Sequence, residues 1–153
     1  MALHGTINHI ALTVSDLDDA LKFFKPFLEA FGYTVSEPSL YNETRLCVNV
    51  NMSNAIAINI WEAKQQHQFK VYEPGLHHLA LNAGSKEQVD EIHHLVKSLG
   101  AEILDGPDEF PFAHDGYYAL YFLGPDKIKF EVVYMPELDQ ALKRGKQKVL
   151  TNT

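Results

Sequence analysis

Apolar and polar positions alternate in two similar stretches of the chain, each followed by a helical pattern. In residues 7–14 the large apolar residues Ile10, Leu12 and Val14 fall on one face of a strand, and His9 falls on the other face. Residues 76–83 repeat this arrangement with His78 in the place of His9. The pattern therefore predicts two strands that each carry an inward-facing histidine.

A helix is predicted after each of these strands. Ser15 is a suitable N-cap for the first helix, and its apolar stripe ends at Gly32. Ser85 opens a capping-box sequence for the second helix, whose stripe ends at Gly100. Pro26 lies inside the first stripe and should kink that helix or split it in two, because proline removes a backbone hydrogen bond.

Three further strands are predicted after each helix. They span residues 33–37, 45–51 and 55–61 in the first half, and 101–105, 117–123 and 128–134 in the second. The two helix-closing glycines are separated by nearly the same interval as the two histidines, which indicates an internal duplication. We predict one module at residues 1–68, a second at residues 69–136, and a helical, basic tail at residues 137–153.

Composition narrows the class of protein. The chain has 153 residues, 46% of them hydrophobic and 22% charged, as in ordinary globular proteins. Its net charge is −7 and its basic residues concentrate only in the tail, so we expect no nucleic-acid partner. The single cysteine, Cys47, forms no intramolecular disulfide and fits a cytoplasmic location. No signal peptide or membrane span is predicted.

Strand parity brings candidate metal ligands to one face. In the last predicted strand the even-numbered apolar residues should pack on the helix, which places Glu131 on the opposite face with His78. The same parity places Asn59 with His9 and turns Glu62 away. Two imidazoles and one carboxylate suit Fe(II), Mn(II), Co(II), Ni(II) or Zn(II). From the residues alone, solvated histidines and a solvated glutamate remain the alternative.

Three stretches carry a resemblance to a known family. They are H-I-A-L-T-V-S-D at residues 9–16, H-L-A-L at residues 78–81, and Y-Y-A-L-Y-F-L-G-P-D-K-I-K-F-E at residues 117–131. Together they resemble the vicinal oxygen chelate superfamily of glyoxalases, bleomycin-resistance proteins, fosfomycin-resistance enzymes and extradiol dioxygenases. The resemblance implies an α+β fold of two tandem βαβββ modules, forming a curved, cup-like mixed sheet with helices on its outer face.

The resemblance also implies a set of metal ligands. His9, His78 and Glu131 fall on ligand positions, and the position that is often glutamate in the family is occupied by Asn59. Lys127 replaces the family's usual turn glycine. The implied cofactor is a divalent metal, with Fe, Mn, Ni, Co and Zn all open.

The leading functional prediction is a metal-dependent lyase, transferase or dioxygenase. Its small substrate would chelate the metal through neighbouring oxygens. His114 and Tyr121 are the candidate catalytic residues, although a loop histidine in solvent and a core aromatic would give the same sequence signal. His77 is predicted to form hydrogen bonds in the core.

Two other classes of function remain open. One is a protein that sequesters a small molecule without chemistry, as bleomycin-resistance members do; the other is a ligand-sensing or scaffold module. A homodimer is expected from the implied fold.

Overall fold

The part of the chain that the structure describes divides into two compact units, with the boundary between Phe69 and Lys70. The computed structural model describes residues 5–138 and residue 140. The basic residues of the predicted tail lie outside this part of the chain, and residues 136–138 are helical. No helix in the described part is long and apolar enough to cross a membrane.

Residues 5–69 of the first unit form one mixed sheet and one α-helix. Its elements are β1 (His9–Val14), α1 (Leu17–Ala30), β2 (Tyr33–Val35), β3 (Ser39–Tyr41), β4 (Thr44–Asn51) and β5 (Ile56–Glu62). The strand order is β1-β5-β4-β2, and β3 also pairs with β4. Strand β1 runs parallel to β5, whereas the other pairs are antiparallel.

The second unit repeats this plan without a counterpart of β3. Its elements are β6 (Leu79–Asn82), α2 (Lys86–Ser98), β7 (Glu102–Glu109), β8 (Tyr118–Leu123) and β9 (Lys129–Tyr134). The strand order is β6-β9-β8-β7, with β6 parallel to β9. The predicted α+β class and the strand–helix–strand–strand–strand order of each half are therefore confirmed, with one added strand.

Helix α1 differs from the sequence prediction at two points. Its N-cap is Asp16, whose side chain accepts a hydrogen bond of 2.8 Å from the Asp19 amide, and the assignment of Ser15 as the cap is wrong. The helix also continues through Pro26. Phe24 and Phe27 on either side of the proline are fully buried. Burying two such rings contributes several kcal/mol, enough to offset a missing backbone bond.

The other helix boundaries follow the predicted signals. Ser85 caps α2 by accepting a hydrogen bond from the Gln88 amide. Gly32 and Gly100 follow the last helical turns with φ of 81° and 86°, the left-handed conformation that glycine adopts without strain. These glycines let the chain leave each helix and enter the next strand.

Two strands depart from the predicted set. Strand β3 forms a hairpin with β4 through Asn42 and Glu43, both at positive φ, and this turn lacks the glycine that marks most such hairpins. Strand β7 extends to Glu109, beyond the predicted end at Asp105, with register shifts along its pairing with β8. The Gly106-Pro107 sequence signals a turn, but here it lies inside an irregular edge strand.

Each helix packs on one face of its own sheet. In the first unit Ile58 and Ile60 of β5 are buried, and in the second unit Phe130 and Val132 of β9 are buried. Side chains alternate between the two faces of a strand, so these residues fix which side chains point away from the helices. The candidate ligands lie on those opposite faces.

Candidate functional site

His9 and Asn59 share a face of the first sheet. Strand β1 pairs with β5 in the register His9 with Ala57 and Ala11 with Asn59, so His9 and Asn59 have the same parity. The His9 side chain is exposed, and its Nδ1 lies 2.8 Å from Asn8 Oδ1. The Asn59 Oδ1 atom is buried and has no hydrogen-bond partner among the described residues. A buried carbonyl oxygen without a donor is costly, which makes Asn59 Oδ1 a candidate to accept from a ligand or a cation.

Glu62 is engaged elsewhere. Its Oε1 accepts a hydrogen bond of 3.1 Å from the Leu17 amide at the start of α1 and lies 3.5 Å from the Arg45 guanidinium. Arg45 also holds Asp18 in the first turn of the same helix. Glu62 therefore supports the helix start, on the side that parity predicts.

The second unit brings His78 and Glu131 into direct contact. The His78 Nε2 atom lies 3.1 Å from Glu131 Oε2, and only 3% of the Glu131 side chain is exposed. The other carboxylate oxygen of Glu131 accepts a short hydrogen bond from the Tyr117 hydroxyl. Burying a carboxylate is unfavourable unless partners compensate it, and here a phenol and an imidazole do so.

The position of His77 differs from the prediction. His77 is exposed rather than in the core, and its Nδ1 lies 2.7 Å from the Nδ1 of His78. Its ring also meets Tyr72 edge-on at 5.1 Å. Both ring nitrogens of His78 therefore have a partner, which fixes the orientation of the imidazole. A second hydrogen bond of this kind is typical of metal-binding histidines.

Two tyrosines flank the pair as hydrogen-bond donors. Burial and the neighbouring Glu131 raise the pKa of Tyr117 well above its usual range, and the same causes raise the pKa of Tyr121 to about 12. The Tyr121 ring lies 6.4 Å from the His78 ring. Both phenols are protonated at neutral pH and can donate hydrogen bonds. Tyr117 was not identified from the sequence as a functional residue, although its parity with Tyr121 and Glu131 could have indicated it.

The ring of His114 contacts Asp115 and Glu137. Its Nδ1 contacts the Asp115 carbonyl oxygen at 2.9 Å, and its Nε2 lies 3.2 Å from Glu137 Oε2. The carbonyl of Asp115 and the charge of Glu137 raise the pKa of His114. Both ring nitrogens of His114 thus have a partner, and its role as a general acid or base stays a prediction.

The donors present fit a divalent metal. An imidazole nitrogen and a carboxylate oxygen about 3 Å apart have the separation of two neighbouring ligands on one ion with bonds of about 2.1 Å. The partnerless oxygen of Asn59 is a further neutral donor. Among residues 5–138 and 140, no group of three or more His, Cys, Asp and Glu side chains is arranged as a metal cluster. Of the predicted ligands, His78 and Glu131 are therefore the pair that the structure places in contact.

These features place the chain in a family. The model of the Glyoxalase/Bleomycin resistance protein/Dioxygenase superfamily matches residues 6–132, so the chain belongs to this superfamily. The protein YqjT of Bacillus subtilis, itself uncharacterised, is 31% identical over 83% of this chain and 97% of its own length. The mitochondrial methylmalonyl-CoA epimerase of Dictyostelium discoideum is 28% identical over 87% of this chain and 78% of its own.

Solved structures show the same fold. A glyoxylase/bleomycin resistance protein/dioxygenase domain from Frankia sp. is 24% identical with a TM-score of 0.72, covering 87% of this chain and 98% of the other. The fosfomycin resistance protein FosX of Listeria monocytogenes, in complex with Mn(II) and sulfate, is 20% identical with a TM-score of 0.66, covering 91% and 99%. The resemblance found in the sequence is thus confirmed at the level of superfamily and fold.

Replacing Tyr117 with phenylalanine should weaken metal binding by about tenfold, because Glu131 loses the donor that orients its carboxylate. Isothermal titration with Mn(II) measures the effect. The neighbouring Tyr118 provides a matched control, since its hydroxyl donates to Asp90 at 2.8 Å. Tyr118→Phe removes a comparable hydrogen bond and should leave the Mn(II) affinity unchanged. Equal affinities in the two variants would contradict the role of Tyr117.

Proposed function

We propose that this protein is a divalent-metal-dependent enzyme that acts on a small, oxygen-rich substrate. Its metal ligands would be His9, His78 and Glu131, with Asn59 as a weaker neutral ligand. The observation that carries the proposal is the contact of 3.1 Å between His78 and the almost fully buried Glu131. A buried carboxylate in contact with an imidazole provides two of the donor groups that divalent metals bind in proteins.

The chain's own residues would orient both the ion and the substrate. Tyr117 holds one oxygen of Glu131, and His77 holds the ring of His78. Tyr121 keeps its proton at neutral pH and can donate it in a hydrogen bond to a substrate oxygen that becomes negative. A bound divalent ion would supply Lewis-acid polarisation of the substrate's oxygens.

The amide side chain of Asn59 limits the class of reaction that we propose for this site. An amide cannot remove a proton, so this position cannot supply a general base. The protonated tyrosines favour a reaction in which negative charge develops on a substrate oxygen and is stabilised there. Two similar proteins support an oxygen-rich substrate: a single-residue mutant of FosX was solved with Mn(II) and 1S,2S-dihydroxypropylphosphonic acid, and the other is named methylmalonyl-CoA epimerase.

Metal analysis of untagged protein tests the proposal. Wild type should bind Mn(II), Fe(II), Ni(II) or Zn(II) and gain thermal stability, whereas His9→Ala and His78→Ala should each weaken binding by about a hundredfold. His67→Ala, which alters an exposed histidine in the segment between β5 and β6, is the control. Wild type that binds none of these ions would contradict the proposal and favour a sequestering protein.

A further inference from the structure

Lys129 lies on the same face of the second sheet as Glu131. It precedes Glu131 by two positions on β9 and pairs with Leu123 of β8. Its ammonium group lies 5.4 Å from the centre of the Tyr121 ring. Because the Tyr121 ring in turn neighbours the His78 ring, Lys129 belongs to the same cluster as the candidate ligands.

The environment of Lys129 differs from that of the other lysines. Lys22, Lys70 and Lys86 each form an ion pair with a carboxylate. Within the described part of the chain Lys129 has no such pair. Four other described lysines also lack an ion pair with a carboxylate, but they are exposed, whereas Lys129 is half-buried. These four are Lys25, Lys64, Lys97 and Lys127.

A half-buried ammonium group without a carboxylate partner has N–H donors that can form hydrogen bonds with a ligand. The Tyr121 ring holds the cation by a cation–π interaction but accepts no conventional hydrogen bond. Glu131 forms no ion pair with Lys129 among the described residues, and its two oxygens contact Tyr117 and His78. The charge of Lys129 is therefore available to an anion that approaches this face of the sheet.

We propose that Lys129 binds an oxyanion group of the substrate, a carboxylate, phosphonate or phosphate, and so selects anionic substrates. The inference rests on the proposed function, because it assigns the charged end of the same substrate. Phe110 packs edge-on against the same Tyr121 ring at 5.3 Å and helps to hold that ring in place. Lys129 is thus a specificity-determining residue, and the substrate carries an oxyanion in addition to its chelating oxygens.

A matched pair of chelators tests this assignment. Succinate monohydroxamate and butyrohydroxamate both offer two neighbouring oxygens, but only the first ends in a carboxylate. Isothermal titration of Mn(II)-loaded wild type should show the first binding about tenfold more tightly. Lys129→Met should bring the ratio close to one without changing the affinity for butyrohydroxamate. Lys129→Arg should keep most of the preference, and Lys127→Met, which removes an exposed lysine, should keep all of it.

The outcomes separate this inference from the proposed function. The inference is overturned if Lys129→Met keeps the wild-type ratio of affinities for the two hydroxamates. It is also overturned if that ratio is close to one in wild type, even when butyrohydroxamate binds. If no hydroxamate binds to metal-treated protein, the proposed function fails. The role of Lys129 is then tested by itself, by adding inorganic phosphate to the metal-free protein. Shifts in the amide NMR signals of β8 and β9 in metal-free wild type, absent in Lys129→Met, support it. Equal shifts in both proteins, or none in wild type, overturn it.

Two further probes, phosphonoacetate and malonate, distinguish which oxyanion Lys129 binds. Phosphonoacetate and malonate share one carboxylate and differ in the second anionic group. Tighter binding of phosphonoacetate that depends on Lys129 assigns a phosphonate or phosphate, and tighter binding of malonate assigns a carboxylate. Binding of both with no dependence on Lys129 contradicts the assignment.

Discussion

Replacing Glu131 with glutamine is expected to reduce divalent-metal affinity by at least about a hundredfold while the protein remains folded. The carboxylate is the only charged oxygen ligand in the proposed set, and a neutral amide is a much weaker donor. The glutamine can still accept from Tyr117 and donate to His78, so the hydrogen bonds of the buried site are preserved. Titration with Mn(II) and thermal unfolding of the metal-free protein measure the two effects separately.

Glu62 provides the matched control for this experiment. It also lies on a strand that pairs in parallel with the first strand of its unit, but its Oε1 accepts a hydrogen bond from the Leu17 amide at the start of α1. Glu62→Gln should lower the free energy of unfolding by about 1 kcal/mol, because a charged acceptor at a helix N-terminus is lost. Metal affinity should not change. Similar losses of metal affinity in both variants would show that Glu131 acts only through the fold.

Exchanging Asn59 for aspartate is expected to raise divalent-metal affinity by about tenfold or more. The change replaces a neutral oxygen donor with a charged one, and affinity increases with the charge of the ligands. Without metal the variant should be less stable by about 1–3 kcal/mol, since a partnerless buried oxygen becomes a partnerless charge. Thermal unfolding with and without Mn(II) measures both effects.

Asn49 is the control for this exchange. Its Oδ1 is also buried without a hydrogen-bond partner among the described residues, and its Nδ2 donates to the Ile58 carbonyl. It pairs with Ile58 in the register and therefore lies on the α1 side of the sheet, opposite to Asn59. Asn49→Asp should destabilise the protein by about 3–5 kcal/mol, and Mn(II) should not restore it. A gain in metal affinity for Asn49→Asp, or none for Asn59→Asp, would contradict the proposed ligand set.

The fold was accessible from the sequence wherever local signals and burial agree. Ser85 and Gly100 mark α2 correctly because capping and left-handed glycine conformations are local properties. Strand β3 was missed because all its side chains are exposed and its turn uses Asn42 and Glu43 without glycine. Pro26 was overestimated because the packing of Phe24 and Phe27 is a tertiary effect that periodicity does not quantify.

The site was accessible only in part. Parity placed Glu131 on the face opposite α2 because alternation follows from the strand itself. It could not show that Tyr117 reaches the Glu131 carboxylate, since that contact depends on the register between β8 and β9 and the conformation of the preceding loop. The strand predicted at residues 76–83 begins only at Leu79, so His77 and His78 both precede β6. Strand alternation does not hold there, and His77 was misplaced for that reason, whereas His78 is held by its contact with Glu131. The grouping of His9 and Asn59 with His78 and Glu131 stays a prediction.

The parallel pairing of first and last strands has a consequence during synthesis of the protein. Among the strands that the structure describes, β1 pairs with β5 alone. The Leu17 amide at the start of α1 donates to Glu62, and the Ala63 amide donates to the Val14 carbonyl. A nascent chain that has not yet exposed these residues therefore leaves its first strand and helix without their partners. The same holds for β6, which must wait for β9. In each unit the partner of the first strand is therefore the last strand to emerge from the ribosome, and a chain truncated before that strand leaves the hydrogen bonds of β1 or β6 unmade.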